Sequence, residues 1–120
     1  PIYAIAAGKI VKTVNCPSCS CGNQIIMHHN INGKYYTSFY CHLSAIKTTQ
    51  GAVVSKDTII GLVGSTGNST GPHLHLAVAT GLWYSQYYKY SDFVSRTVKP
   101  RTIINFPAGR SYWINRTTKY

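Results

Sequence analysis

Two histidines one residue apart, in Gly71-Pro72-His73-Leu74-His75-Leu76, are the side chains of this 120-residue sequence whose type and spacing first suggest chemistry. On a strand, residues two apart share a face and sit roughly 6–7 Å from each other. One imidazole can then bind a metal while the other reaches a metal-bound water or a substrate. Leu74 and Leu76 would hold the opposite face in the core. Alone the motif says little, because paired surface histidines are common. His28, His29 and His42 complete the set of five.

The cysteines offer other routes. Cys16, Cys19 and Cys21 cluster, and Cys41 stands apart. The cluster fits a disulfide loop, half of a zinc site or a redox C-x-x-C. A four-cysteine zinc knuckle needs a second C-x-x-C, which is absent, and a redox C-x-x-C opens a helix, whereas this one lies among turns and strands. A local disulfide or plain thiols is the favoured reading. Carboxylate pairs are disfavoured: Asp57 and Asp92 are the only acids, and such mechanisms need two acids converging on one bond. Chemistry therefore falls to histidine, cysteine or a metal.

Twelve basic residues give a net charge of +10. That favours an anionic partner through a long-range attraction that salt weakens. Nucleic acid, acidic lipid and bacterial wall polymers all qualify, and simple solubility is the plain alternative. No window approaches the ~18 consecutive apolar residues of a membrane span. No signal peptide is legible, and the start at Pro1 suggests a processed or truncated product.

The elements that must position these residues read as short strands. Ile2 to Ala6 and Lys9 to Val14 are apolar or alternating. Gln24 to His29 and Tyr35 to His42 flank Asn32-Gly33, a strong hairpin signal. Val53-Val54, Thr58 to Val63 and Leu74 to Ala79 follow, each bounded by turn residues. A two-residue turn at Asn32-Gly33 would put His29 opposite Tyr36 and Asn23 opposite His42, so that Asn23 and His42 share a face. His29 would then lie about 20 Å from His42, too far to serve one ion. His28 and His29 read as ordinary polar strand residues. The sequence predicts a mainly β, antiparallel fold.

Composition shifts after Gly81. Residues 82–120 hold ten of the fifteen aromatics and seven of the twelve basic residues. A 39-residue piece rarely folds alone, so this extension is expected to pack on the β domain, with a short helix near Ser91 to Arg96.

Taken together, Gly61-Leu62-Val63-Gly64-Ser65-Thr66-Gly67-Asn68-Ser69-Thr70-Gly71-Pro72-His73-Leu74-His75 resembles the signature of the lysostaphin/LytM peptidoglycan metallopeptidases. Tyr40-Cys41-His42-Leu43-Ser44 is similar to that family's Y-x-H-L-S strand, and Gly22-Asn23-Gln24-Ile25 to its G-N-x-[IV] strand. Pro1-Ile2-Tyr3-Ala4 resembles the segment just past its first metal motif. The resemblance implies an antiparallel, β-sandwich-like peptidase domain. It makes residues 1–81 the metallopeptidase core and residues 82–120 a basic, aromatic extension.

The resemblance also implies roles. His75 would be a zinc ligand, His42 and His73 the catalytic histidines, and Asn23 a residue of the substrate groove. The reaction would be zinc-assisted hydrolysis of a peptide bond in the cross-bridges or stems of peptidoglycan, by an extracellular, envelope or phage-borne protein. The family's remaining ligands come from an H-x-x-x-D motif upstream of the segment with which this sequence opens. Three accounts follow. An N-terminal segment or another chain supplies them, or the domain is a degenerate relative that binds wall or a partner, or Cys19 or Cys21 substitutes. Nucleic-acid binding would leave the histidine motifs unexplained.

Overall fold

The computed structural model describes residues 1–19, 21–65, 75–84 and 95–98. These form eight strands: β1 (Ile2–Tyr3), β2 (Gly8–Val14), β3 (Asn23–Ile31), β4 (Lys34–Ile46), β5 (Val53–Val54), β6 (Ile59–Val63), β7 (His75–Thr80) and β8 (Thr97–Val98). Every pairing is antiparallel, as the short alternating runs and tight turns demand.

The strands make one sheet in the order β1-β6-β4-β3-β2-β5, with β7 pairing β4 and β8 pairing β7. A two-sheet sandwich is therefore not what the described residues build. The reason lies in β4. Its first half, Tyr36 to Cys41, pairs with β7, and its second half, Leu43 to Ile46, pairs with β6. One 13-residue strand thus serves two partners on the same edge, and the sheet branches where they meet.

The β3–β4 hairpin sets this frame. Asn32 and Gly33 both have positive φ, 52° and 83°, as a two-residue turn of matching twist requires. Ile31 then faces Lys34, and His29 faces Tyr36, as the sequence predicts. Side chains alternate from there. Ile25 and Met27 of β3, Tyr40 of β4, and Leu76 and Val78 of β7 join Ile2, Ile5, Ile10, Leu43 and Ile60 in the main core. On the other face Ile26, Phe39, Ala77 and Ala79 form a smaller cluster against Val11 and Trp83.

Within the main core lies a polar chain that the sequence does not announce. His29 is 2% exposed. Its Nδ1–H donates to Ala7 O at 3.0 Å, and its Nε2 lies 2.7 Å from Ser38 Oγ. Ser38 Oγ is 3.0 Å from the Tyr40 hydroxyl, which accepts from Ile5 N–H at 3.2 Å. Burial pushes the Tyr40 phenol up to about 12, against hydrogen bonds that favour its charged form. His29 is a core histidine that ties the β1–β2 segment to the hairpin, more than the ordinary polar strand residue expected from the sequence. His28, on the opposite face, donates from Nε2 to Trp83 O at 2.6 Å.

Most of the 82–120 extension lies outside the described residues, as do 91–94 of the expected helix; Ser95 and Arg96 are helical. Val98 packs against the main core.

Candidate active site

The hairpin register breaks once, and it breaks at a histidine. Ile25 faces Tyr40, but Asn23 faces Leu43. Between these pairs β3 contributes Gln24 alone, while β4 contributes both Cys41 and His42. That is a β-bulge, a device that re-aims side chains and bends a strand. His42 adopts φ 65°, a left-handed conformation that costs a non-glycine residue roughly 1–2 kcal/mol.

The bulge decides which way each side chain points. In strict alternation His42 would share the core side with Tyr40, and Leu43 would leave it. The extra residue returns Leu43 to the main core, fully buried, and turns His42 toward the start of β7. There His75 faces Cys41 across the β4–β7 ladder. The His42 and His75 rings lie 6.0 Å apart at 77°. His42 is buried and His75 half-buried.

Close packing supports the bend from behind. Ser44 donates its hydroxyl to Val63 O at 2.9 Å. A Cβ on Gly64 would sit 2.3 Å from Ser44 N, so only glycine permits this approach of β6 to β4.

Asn23 does not pair with His42, contrary to the regular hairpin register; the bulge moves it one residue along. It is buried, and its Nδ2 donates to Leu43 O at 3.0 Å. His73 and Leu74 lie outside the described residues.

Against this geometry the comparisons are decisive. The model of peptidase family M23 matches residues 1–92. The chain belongs to peptidase family M23.

Among curated relatives, the M23 domain is 43% identical over 75 residues to peptidoglycan DD-endopeptidase ShyA of Vibrio cholerae, covering 62% of this chain and 16% of that protein. It is 41% identical over 75 residues to lysostaphin of Staphylococcus simulans, covering 62% of this chain and 15% of that protein. The chain therefore spans a small part of the curated relatives it matches. Among solved structures, the catalytic domain of the antimicrobial peptidase lysostaphin aligns with TM-score 0.67 at 35% identity, over 85% of this chain and 68% of that chain. A variant catalytic domain of the prophage-encoded M23 protein EnpA from Enterococcus faecalis aligns with TM-score 0.64 at 26% identity, over 84% of this chain and 67% of that chain.

A catalytic zinc takes three protein ligands with one position open. Among the described residues no group of three or more His, Cys, Asp or Glu side chains is placed to hold a metal. The M23 domain brings together His42 and His75, two imidazoles, so the described residues do not complete such a site. The cysteines do not fill the gap. Cys16 is bonded to Cys19 and Cys21 to Cys41, and no cysteine is free. The substitution of Cys19 or Cys21 as a ligand is thereby overturned, since a disulfide sulfur carries no thiolate to offer.

The local Cys16–Cys19 loop is legible in the C-x-x-C spacing. Sequence reasoning missed the Cys21–Cys41 bond, although two signals were there. Cys41 directly precedes His42, and Cys21 lies two residues before Asn23, near the same end of the hairpin.

Proposed function

We propose that this M23 domain, within its full-length protein, hydrolyses a peptide bond in the cross-bridges or stems of bacterial peptidoglycan. The carrying observation is the pair of imidazoles set 6.0 Å apart by a bulge in an M23 sheet. In this reading His75 is one ligand of a zinc ion, and the others come from outside the described residues, from an N-terminal segment or another chain. When bound, zinc supplies Lewis acidity toward water and the peptide carbonyl. His42, together with His73, orients or deprotonates the attacking water and stabilises the developing oxyanion. Asn23 lines the substrate groove.

The +10 charge is compatible with recruitment to anionic wall polymers, and it is the histidine motifs that disfavour nucleic acid as the partner. Two disulfides support an oxidising setting, outside the cell, in the envelope or on a phage virion. No helix among the described residues is long and apolar enough to cross a membrane.

The test is release of peptides from purified peptidoglycan by the full-length protein, with its zinc content measured in parallel. His75→Ala is expected to lose both metal and activity. His42→Ala is expected to keep zinc and lose about 10²–10⁴-fold in kcat, the span of general acid–base catalysis. The absence of a three-ligand cluster among the described residues favours one competing reading, a degenerate domain that binds wall or regulates a partner. A full-length protein that holds no metal under zinc-replete conditions, cuts nothing and still sediments with peptidoglycan would establish that reading instead.

A further inference from the structure

Residues 21–23, at and just before the start of β3, grip consecutive residues of β4 around the bulge. Cys21 Sγ is bonded to Cys41 Sγ, with the two Cα atoms 5.2 Å apart. The Cys21 carbonyl accepts the His42 N–H at 2.8 Å. Asn23 Nδ2 reaches the next carbonyl, Leu43 O, at 3.0 Å. Residues 41, 42 and 43 are thus each tied to residues 21–23, while Cys41 also faces His75 across the β4–β7 ladder.

We propose that Cys21 and Cys41 are positioning residues of the site: their bond holds His42 in its left-handed bulge beside His75. This rests on the reading of His42 as catalytic.

A non-glycine residue keeps such a backbone only where its surroundings over-determine it. Cys21 lies outside β3, in a turn where Gly22 N–H donates to Cys19 O at 2.9 Å and Cys19 N–H to Cys16 O at 3.0 Å. A turn segment is a weaker anchor than a strand in the middle of a sheet. The covalent bond makes up the difference, because it fixes Cys21 against Cys41 and so keeps the Cys21 carbonyl under the His42 N–H. Both sulfurs belong to buried residues, with Cys41 at 0% exposure. The other disulfide is a built-in control. Cys16 and Cys19 are three apart in sequence and close their own turn, with Cys19 N–H donating to Cys16 O.

The experiment compares two variants of the full-length protein, C21A/C41A and C16A/C19A, with the wild type. Alanine at both positions leaves no unpaired thiol. Three quantities are read: kcat and KM on peptidoglycan, zinc content, and hydrogen exchange at the His42 amide relative to core amides such as Met27. The expected result for C21A/C41A is a kcat lower by about 10–100-fold, the cost of a small misplacement of a catalytic group. KM and zinc content should match the wild type, and His42 exchange should speed up by about 10-fold or more against an unchanged Met27. C16A/C19A should behave as wild type throughout. A folded C21A/C41A protein with wild-type kcat and His42 exchange would overturn the proposal.

If C21A/C41A does not fold, the wild type is reduced stepwise with dithiothreitol and the state of each pair read by alkylation. Each reduction adds two electrons and two protons to an S–S bond, giving two thiols, and the reagent leaves as its cyclic disulfide. Activity and His42 protection should fall with Cys21–Cys41 reduction, before tryptophan fluorescence changes. Loss only on unfolding, or no loss, would overturn the proposal. A wild type that hydrolyses nothing removes the peptidase reading, yet His42 exchange still reports whether the clamp exists.

Discussion

The β3–β4 hairpin has two ends that obey different rules. From the turn to Tyr40 the register is regular, and residues alternate between two buried faces. His29 sits in this half, sealed in the core between Ala7 O and Ser38 Oγ. Beyond Tyr40 the register slips by one, and His42 leaves the alternation to meet His75. The same residue type on the same strand pair therefore ends in opposite circumstances. A kept register seals a histidine among core partners, and a broken one sets a histidine beside a second imidazole.

The comparison breaks most severely where the bulged end is backed by β6. Gly64→Ala would drive a Cβ to 2.3 Å from Ser44 N and 2.7 Å from Ser44 Cα. These are backbone atoms on the strand that carries His42, and no side-chain rotation relieves them. Loss of about 3 kcal/mol or more is expected, with activity falling alongside because the bulge must shift. Urea unfolding measures the first and peptidoglycan hydrolysis the second. An unchanged unfolding midpoint would mean that β6 does not brace the bulge.

The regular end is tested more gently by Ser38→Ala. This leaves the buried His29 Nε2 without the hydroxyl 2.7 Å away, at a cost of about 1–3 kcal/mol for an unmet polar group. Activity per folded molecule should hardly change, since His29 is not at the site. A large drop in kcat at full folding would dissolve the contrast between the two halves.

The same histidine gives the regular end a pH signature. Burial, first, holds the His29 pKa below the ordinary 6.5; its hydrogen bond to Ala7 O pulls the other way, and the nearby His28 adds to the lowering. As pH falls the unfolded chain takes up this proton before the folded one does. The linked stability is therefore full above pH 6.5 and is lost as pH drops through that value toward the lowered folded pKa. Unfolding midpoints collected from pH 7.5 downward should fall across this window, and a flat profile to pH 5 would contradict the burial of His29.

How much of this was legible in the sequence follows the same division. Asn32-Gly33 dictates its own turn, and the turn dictates the pairing of His29 with Tyr36, because both are local. The antiparallel β character follows from short alternating runs. The bulge is not local. It satisfies β3, β6 and β7 at once, and nothing between Tyr40 and Ser44 marks which residue will be extra. For that reason Asn23 was expected opposite His42 and is found opposite Leu43. His29 misled for a related reason: its neighbours His28 and Asn30 are polar, and the buried partners Ala7 and Ser38 come from elsewhere in the chain. The proximity of His42 to a histidine of the later strand was implied by a resemblance of motifs, not by any spacing along the chain.

The smallest effect on stability separates the two roles most cleanly. His42 holds φ 65°, where a side chain is a liability and glycine is at ease. Glycine here gains from the relaxed backbone and loses through greater freedom when unfolded, two terms of about 1 kcal/mol each, and it also removes a buried ring. His42→Gly should therefore cost only about 1 kcal/mol of unfolding free energy, the backbone relief offsetting part of the lost packing, while hydrolysis falls by about 10²-fold or more. At the other end, His29→Gly removes a fully packed ring and its hydrogen bonds and should cost several times as much stability, roughly 3 kcal/mol or more. Urea unfolding of the two variants, set beside their activity per folded molecule, reads both quantities. Equal losses of stability would mean that His42 is as much a packing residue as His29, and the bulge would then need a structural explanation rather than a chemical one.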